Sequence, residues 1–175
     1  MDLKKETKKN NIAEDIIQIY RNEDLIRAFE FDLEKIGNHV INHLPISNIE
    51  KLSQVNYYEK LIKKMKLQNI EKIGHLKEAN ELVNVLEDLN ISLLKSDKVY
   101  QKIHVISLPY IQKNIELSNN KITSEIQICL NGVYGFLLLK LNGKDLDESN
   151  KTAIESFGDV LSYLSMKYKE AVKMN

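Results

Sequence analysis

The sequence predicts an all-α protein, a single-domain irregular helical bundle of about six or seven helices. Three observations predict it. Apolar residues recur at spacings of three and four along most of the chain, which is the period of one helix face. Helix-start signals, such as Ser or Asn followed three residues later by Glu, stand at the heads of several periodic runs. Only six glycines and two prolines interrupt 175 residues, so long regular elements are expected. A composition of 43% hydrophobic and 29% charged residues is ordinary for a soluble globular chain, and this length can bury a real core.

The elements follow in order. Residues 1–10, within "MDLKKETKKNN", read as a flexible basic tail, and residues 11–175 read as the single helical domain. Asn11 with Glu14 makes a capping-box-like start, and Ile12, Ile16, Ile19, Tyr20 and Ile26 share one face of the first helix. Asp32 is placed to cap a second helix with Leu33, Ile36, Val40 and Leu44 as its stripe, ended by Pro45. Ser47 and Glu50 open a third, with Leu52, Val55, Tyr58, Ile62 and Met65 inward. After Gly74, the run of Leu76, Ala79, Val83, Leu86, Leu89 and Leu93 is the clearest helical pattern. Ser96 and Asp97 mark the next start, and Val99, Ile103, Ile106 and Tyr110 continue the period. Pro109 inside that run predicts a kink or a break. The last helix is expected from near Asp147 through Ile154, Phe157, Leu161, Leu164 and Tyr168.

One segment reads two ways. In "KITSEIQICLNGVYGFLLLKLNGK", alternation from Ile122 to Leu130 and the turn signal Asn131-Gly132 suggest a hairpin. The helical reading puts Ile126, Leu130, Val133, Leu137 and Leu141 on one stripe and Glu125, Cys129, Gly132 and Phe136 on a second face. Gly132 would then admit a neighbouring helix closely, and Asn142-Gly143 would stop the helix. Helices on both sides favour the helical reading, since isolated hairpins are marginal in water.

Composition excludes several classes of function. Lys+Arg and Asp+Glu balance at 25 each, which disfavours a general nucleic-acid binder. No apolar run approaches the roughly 20 residues of a membrane span, and no secretory pattern is seen. Cys129 is the only cysteine, so no internal disulfide and no cysteine-based zinc site can form. A cytoplasmic protein is expected, with no cofactor and no metal. Neither GxxxxGK[ST] nor GxGxxG occurs.

The blocks "NIAEDIIQIYRNEDLIRAFEFDLEKI", "GHLKEANELVNVLEDLNISLLKS" and "EIQICLNGVYGFLLLKL", with "LPYI" at 108–111, run in one order over nearly the whole chain. In these blocks the chain resembles the domain-of-unknown-function family 4924, uncharacterised small proteins from Bacteroidota. The resemblance implies an all-helical single domain in a cytoplasmic protein. It implies no activity and no catalytic residue.

The candidate site starts from "YRNEDLIRAF". At about 100° per residue, Glu23 lies within roughly 20° of Ile12, and Arg27 within roughly 20° of Ile16 and Tyr20. Two charges thus sit on the apolar face, four residues apart, where they can meet. Asp24 can join Arg27 across the turn. His75, at the head of the helix after Gly74, and Asp88, on its later turns, are the other candidates. One reading is a polar pocket that holds a small ligand on Arg27, in a binding or enzymatic bundle. The preferred reading is structural, an intramolecular network or a polar spot on a subunit interface, because such networks are commoner than sites. His39 and His43 have the spacing of metal ligands but lack a third. With no complete catalytic constellation in view, the expected function is non-enzymatic and works through protein contacts, with a protein partner or a homo-oligomer.

Overall fold

The computed structural model describes residues 11–173, and among these it contains seven α-helices, one 3₁₀ turn and no strand. The helices are α1 (Ile12–Ala28), α2 (Leu33–His39), α3 (Asn48–Leu67), α4 (Lys77–Ser96), α5 (Lys98–Leu117), α6 (Glu125–Leu141) and α7 (Glu148–Lys173). The all-α expectation therefore agrees with the structure. The expected tail, residues 1–10, lies outside the described residues. Among the described residues no helix is long and apolar enough to cross a membrane. Contacts gather the chain into two compact units. One is Gln18–Asn80, and the other joins, among the described residues, 11–17 with 81–173.

In the unit Gln18–Asn80, most helix ends obey their local sequence. Asp32 accepts the Lys35 N–H at 3.0 Å and starts α2. Ser47 and Glu50 form a full capping box at the head of α3, with Ser47 N–H to Glu50 at 2.8 Å. Helix α2 is shorter than the sequence suggested. It stops at His39, and a 3₁₀ turn over Ile41–His43 follows. That tighter turn places Ile41 fully inside, whereas Val40 and Leu44 stay half-buried. The stripe of α3 also begins later than expected: Tyr58, Ile62 and Met65 are buried, but Leu52 is exposed.

Helix α1 ends without glycine. The Phe31 N–H reaches the Ile26 carbonyl at 2.9 Å, which closes the last turn with Glu30 at φ 55° and Phe31 at φ 63°. A left-handed residue with a Cβ costs about 1 kcal/mol or more. Glu30 is solvent-exposed, and its contact with Lys35 Nζ at 3.4 Å is a surface pair of little worth. Glu30→Gly should therefore stabilise the chain by about 0.5–1 kcal/mol, read as a raised midpoint in urea unfolding.

In the second unit, α5, α6 and α7 pack on one another, with α6 and α7 in the most extensive contact. Asn11 opens α1 by accepting the Ala13 N–H at 3.1 Å. Glu14 accepts the Asn11 side-chain amide at 3.2 Å. Asp97 caps α5 through the N–H groups of Val99 and Tyr100. Those bonds, the Tyr100 one foremost, hold its carboxyl below the usual aspartate range. The ambiguous segment is helical. Gly132 explains part of that choice, because a Cβ there would fall 2.7 Å from Phe157 Cδ2, so α6 meets α7 over a bare backbone. A hairpin would forfeit this contact. At its far end α6 closes with Lys144 N–H on the Leu139 carbonyl, and Gly143 at φ 69° supplies the left-handed step. The expected α6 stripe leaves the core along its length: Ile126 and Leu130 are buried, while Leu137 and Leu141 are exposed.

Two expectations for α5 fail. Pro109 lies inside a continuous helix and is exposed, so it does not break α5. The carbonyl one turn earlier belongs to Val105, itself exposed, so water can replace the missing hydrogen bond. The inward face is also not the expected one. Tyr100, His104, Ser107 and Ile111 are buried, and Val99 and Ile106 are exposed. The helix is turned by about one residue, or 100°, from the most apolar register.

Candidate functional site

The sequence-predicted cluster is built at α1 and the turn before α4. Glu23 has no exposed surface. Its carboxylate accepts the Leu76 N–H at 2.8 Å and meets His75 Nδ1 at 2.6 Å. Leu76 is the residue before α4, and its carbonyl accepts the Asn80 N–H. Glu23 thus caps a helix more than fifty residues away in sequence, and a carboxylate at that positive end is favoured. The next orphan N–H, on Lys77, goes to the Gln68 side chain at 2.7 Å. His75 stacks flat on the buried Tyr20 ring, with centroids 3.6 Å apart. The functional signal of a histidine at a helix head thus resolves into packing plus one carboxylate bond.

Arg27 does not pair with Glu23. Its Nη1 bonds Asp24 at 2.9 Å, and its Nη2 bonds the carbonyls of Ile70 (3.1 Å) and Gly74. Each charge therefore found a nearer partner than the other, because the turn at 70–76 offers backbone acceptors to the guanidinium and an N–H to the carboxylate. Glu23, Asp24, Arg27 and His75 come together as one clamp on that turn. Asp88 is an exposed residue of α4. His39 and His43 are exposed too, and no group of three His, Cys, Asp or Glu able to hold a metal occurs among the described residues.

A second buried polar cluster was not foreseen. His104 Nε2 lies 2.8 Å from Glu125 Oε2, and Asn90 donates to the same oxygen at 3.3 Å. The Tyr100 hydroxyl donates to Asn90 Oδ1 at 2.6 Å. Glu87 of α4 accepts the Ile126 N–H at 3.1 Å and the Ser124 hydroxyl, and so caps α6 as Glu23 caps α4. Burial pushes the Tyr100 hydroxyl well above its usual value. Burial also pushes the Cys129 thiol up, and the carboxylates of Glu125 and Glu87 add to it. The thiol is then a poor nucleophile. Native protein should leave Cys129 unlabelled by a disulfide-exchange reagent at pH 8, and urea should release one thiol per chain. Rapid full labelling of native protein would contradict this burial. The signal in the sequence was the stripe Tyr100, His104, Ser107, Ile111, at helical spacing but half polar.

Because that stripe turns inward, the opposite side of α5 carries apolar residues into solvent. Val99 is 57% exposed, Val105 66% and Ile106 65%. Lys98, Lys102, Pro109 and Lys113 are exposed beside them. Lys98, Gln101, Lys102 and Val105 line an open groove of about 410 Å³.

The profile of a family described as a domain of unknown function (DUF4924) matches residues 1–174. The chain belongs to the DUF4924 family. Neither the curated proteins nor the solved structures contain a match. Membership in DUF4924 brings no assigned chemistry. The side chains of the two buried clusters bond mainly to one another and to helix ends. The exposed face of α5 has no such internal use.

Proposed function

We propose that this DUF4924 protein is a non-enzymatic cytoplasmic protein that works through contact with another protein, and that the outer face of α5 makes the contact. The observation that carries the reading is the register of that helix. It buries His104 and Ser107 and leaves Val99, Val105 and Ile106 in water. A single exposed valine needs no explanation, but several on one face, chosen against polar residues, do. Local rules are broken most readily where a surface has work to do. A lone buried cysteine suits a reducing compartment.

The rival, a small-molecule-binding or enzymatic bundle centred on Glu23, Arg27 and His75, draws little support from the geometry. Both Nη atoms of Arg27 and the carboxylate of Glu23 are engaged by the protein itself. The test is capture of the tagged full-length chain from its own cells beside the variant V105D/I106D, together with the mass of each in solution. The variant should melt with the parent and lose its specific partner, or its oligomeric mass, by about tenfold, the ratio given by about 1.4 kcal/mol. Equal recovery and equal mass would remove the reading.

A further inference from the structure

The partner's chemistry can be read from the charges on the same face. At about 100° per residue, Lys98, Lys102, Val105, Ile106, Pro109 and Lys113 fall within about 100° of arc on α5. The three lysines are exposed and enter no ion pair among the described residues. Glu116, also exposed, is the one carboxylate in that sector. In a chain whose formal charge balances to zero, this face is a local concentration of positive charge around an apolar centre.

We propose that the α5 face binds an acidic amphipathic segment of another protein, a proposal that rests on the contact reading above. Apolar side chains of that segment would cover Val105 and Ile106 and enter the groove of Lys98, Gln101, Lys102 and Val105. Its carboxylates would meet Lys98, Lys102 and Lys113. Charge complementarity favours this occupant over the others. A second copy of the same face would set three lysines and one glutamate against an identical set, so repulsion would exceed pairing. A nucleic acid would gain few phosphate contacts from three lysines and nothing from the valines. A bilayer surface calls for larger apolar anchors such as Leu, Phe or Trp.

The experiment uses the full-length tagged chain in lysate of its own cells, treated with a zero-length carbodiimide, which joins an amine to a carboxylate only when the two touch. The expected result is a set of linked peptides joining Lys98, Lys102 or Lys113 to Asp or Glu of a different protein. The charge-reversal variant K98E/K102E/K113E should recover that protein at least tenfold less, at an unchanged melting temperature. If V105D/I106D loses the partner and the charge-reversal variant keeps it, the contact reading stands and the acidic partner is wrong. If both variants keep it, both ideas fail. Links between isotopically distinct copies of this chain alone would assign the face to a second copy and overturn the proposal. So would sedimentation of the chain with anionic phosphatidylserine vesicles, or retention on single-stranded DNA, abolished by the same charge reversal.

Discussion

Glu23→Ala is expected to destabilise the protein by about 3–4 kcal/mol. Two bonds to one carboxylate disappear, to the Leu76 N–H and to His75, at a site with no solvent to replace them. Each hydrogen bond to a charged group is worth about 1.5–3 kcal/mol, and the vacated volume adds to the cost. For a chain of this length the melting point should fall by about 6–16 °C. Glu23→Gln should recover much of this. Its carbonyl can accept from Leu76, and its amide can donate to the Nδ1 of a neutral His75. A ligand site would respond differently, losing a small-molecule interaction while melting near the parent. A loss below about 1 kcal/mol for the alanine variant would show that the carboxylate does not hold the head of α4.

Gly132→Val is expected to cost about 3 kcal/mol or more, although it replaces a weak helix former. A Cβ at this position would sit 2.7 and 2.9 Å from the ring of Phe157 and 3.2 Å from Ile154 Cδ1. Phe157 is itself buried, so its ring cannot swing into water. Gly132→Ala gains about 1 kcal/mol in helix propensity and loses about 1–3 in overpacking, so a net loss of about 1 kcal/mol is expected. Trimming the ring should relieve it. In the double variant Gly132→Ala/Phe157→Leu, the two losses should sum to less than their separate values in urea unfolding. Strict additivity would mean that α6 and α7 do not meet at this point.

These two sites show what was legible in the sequence and what was not. Gly132 could be read in advance as a place of close approach, because a glycine on the second face of a helix has few other uses. Helix existence and most caps, at Asp32, Ser47 and Asp97, were legible for the same reason: they depend on residues within one turn. The Glu23 clamp was half legible. The sequence placed a carboxylate on the buried face but paired it with Arg27, its nearest opposite charge along the helix. The actual partners, His75 and the Leu76 N–H, arrive from a turn fifty residues away, and local spacing carries no information about them. The face of α5 was illegible for a different reason. Counting apolar side chains favoured Val99, Ile103, Ile106 and Tyr110. The helix instead buries His104, whose ring is paired with Glu125, and Ser107, whose hydroxyl bonds the His104 carbonyl at 2.9 Å. A polar group that finds a partner inside costs little, and a sequence pattern cannot see the partner.

The same exchange links structure to function. The buried Glu23 holds the helix head of α4 and the half-buried Glu87 that of α6, the paired His104 fills a position that a hydrophobic residue would otherwise take, and the displaced valines and isoleucine of α5 remain outside. The clamp of Glu23 on the head of α4 is tested most directly by amide hydrogen exchange at Leu76, measured by NMR in the parent and in Glu23→Ala. The Leu76 amide should exchange slowly in the parent and lose that protection selectively in the variant. A Leu76 amide that exchanges in the parent as fast as a solvent-exposed one would mean that Glu23 does not cap α4.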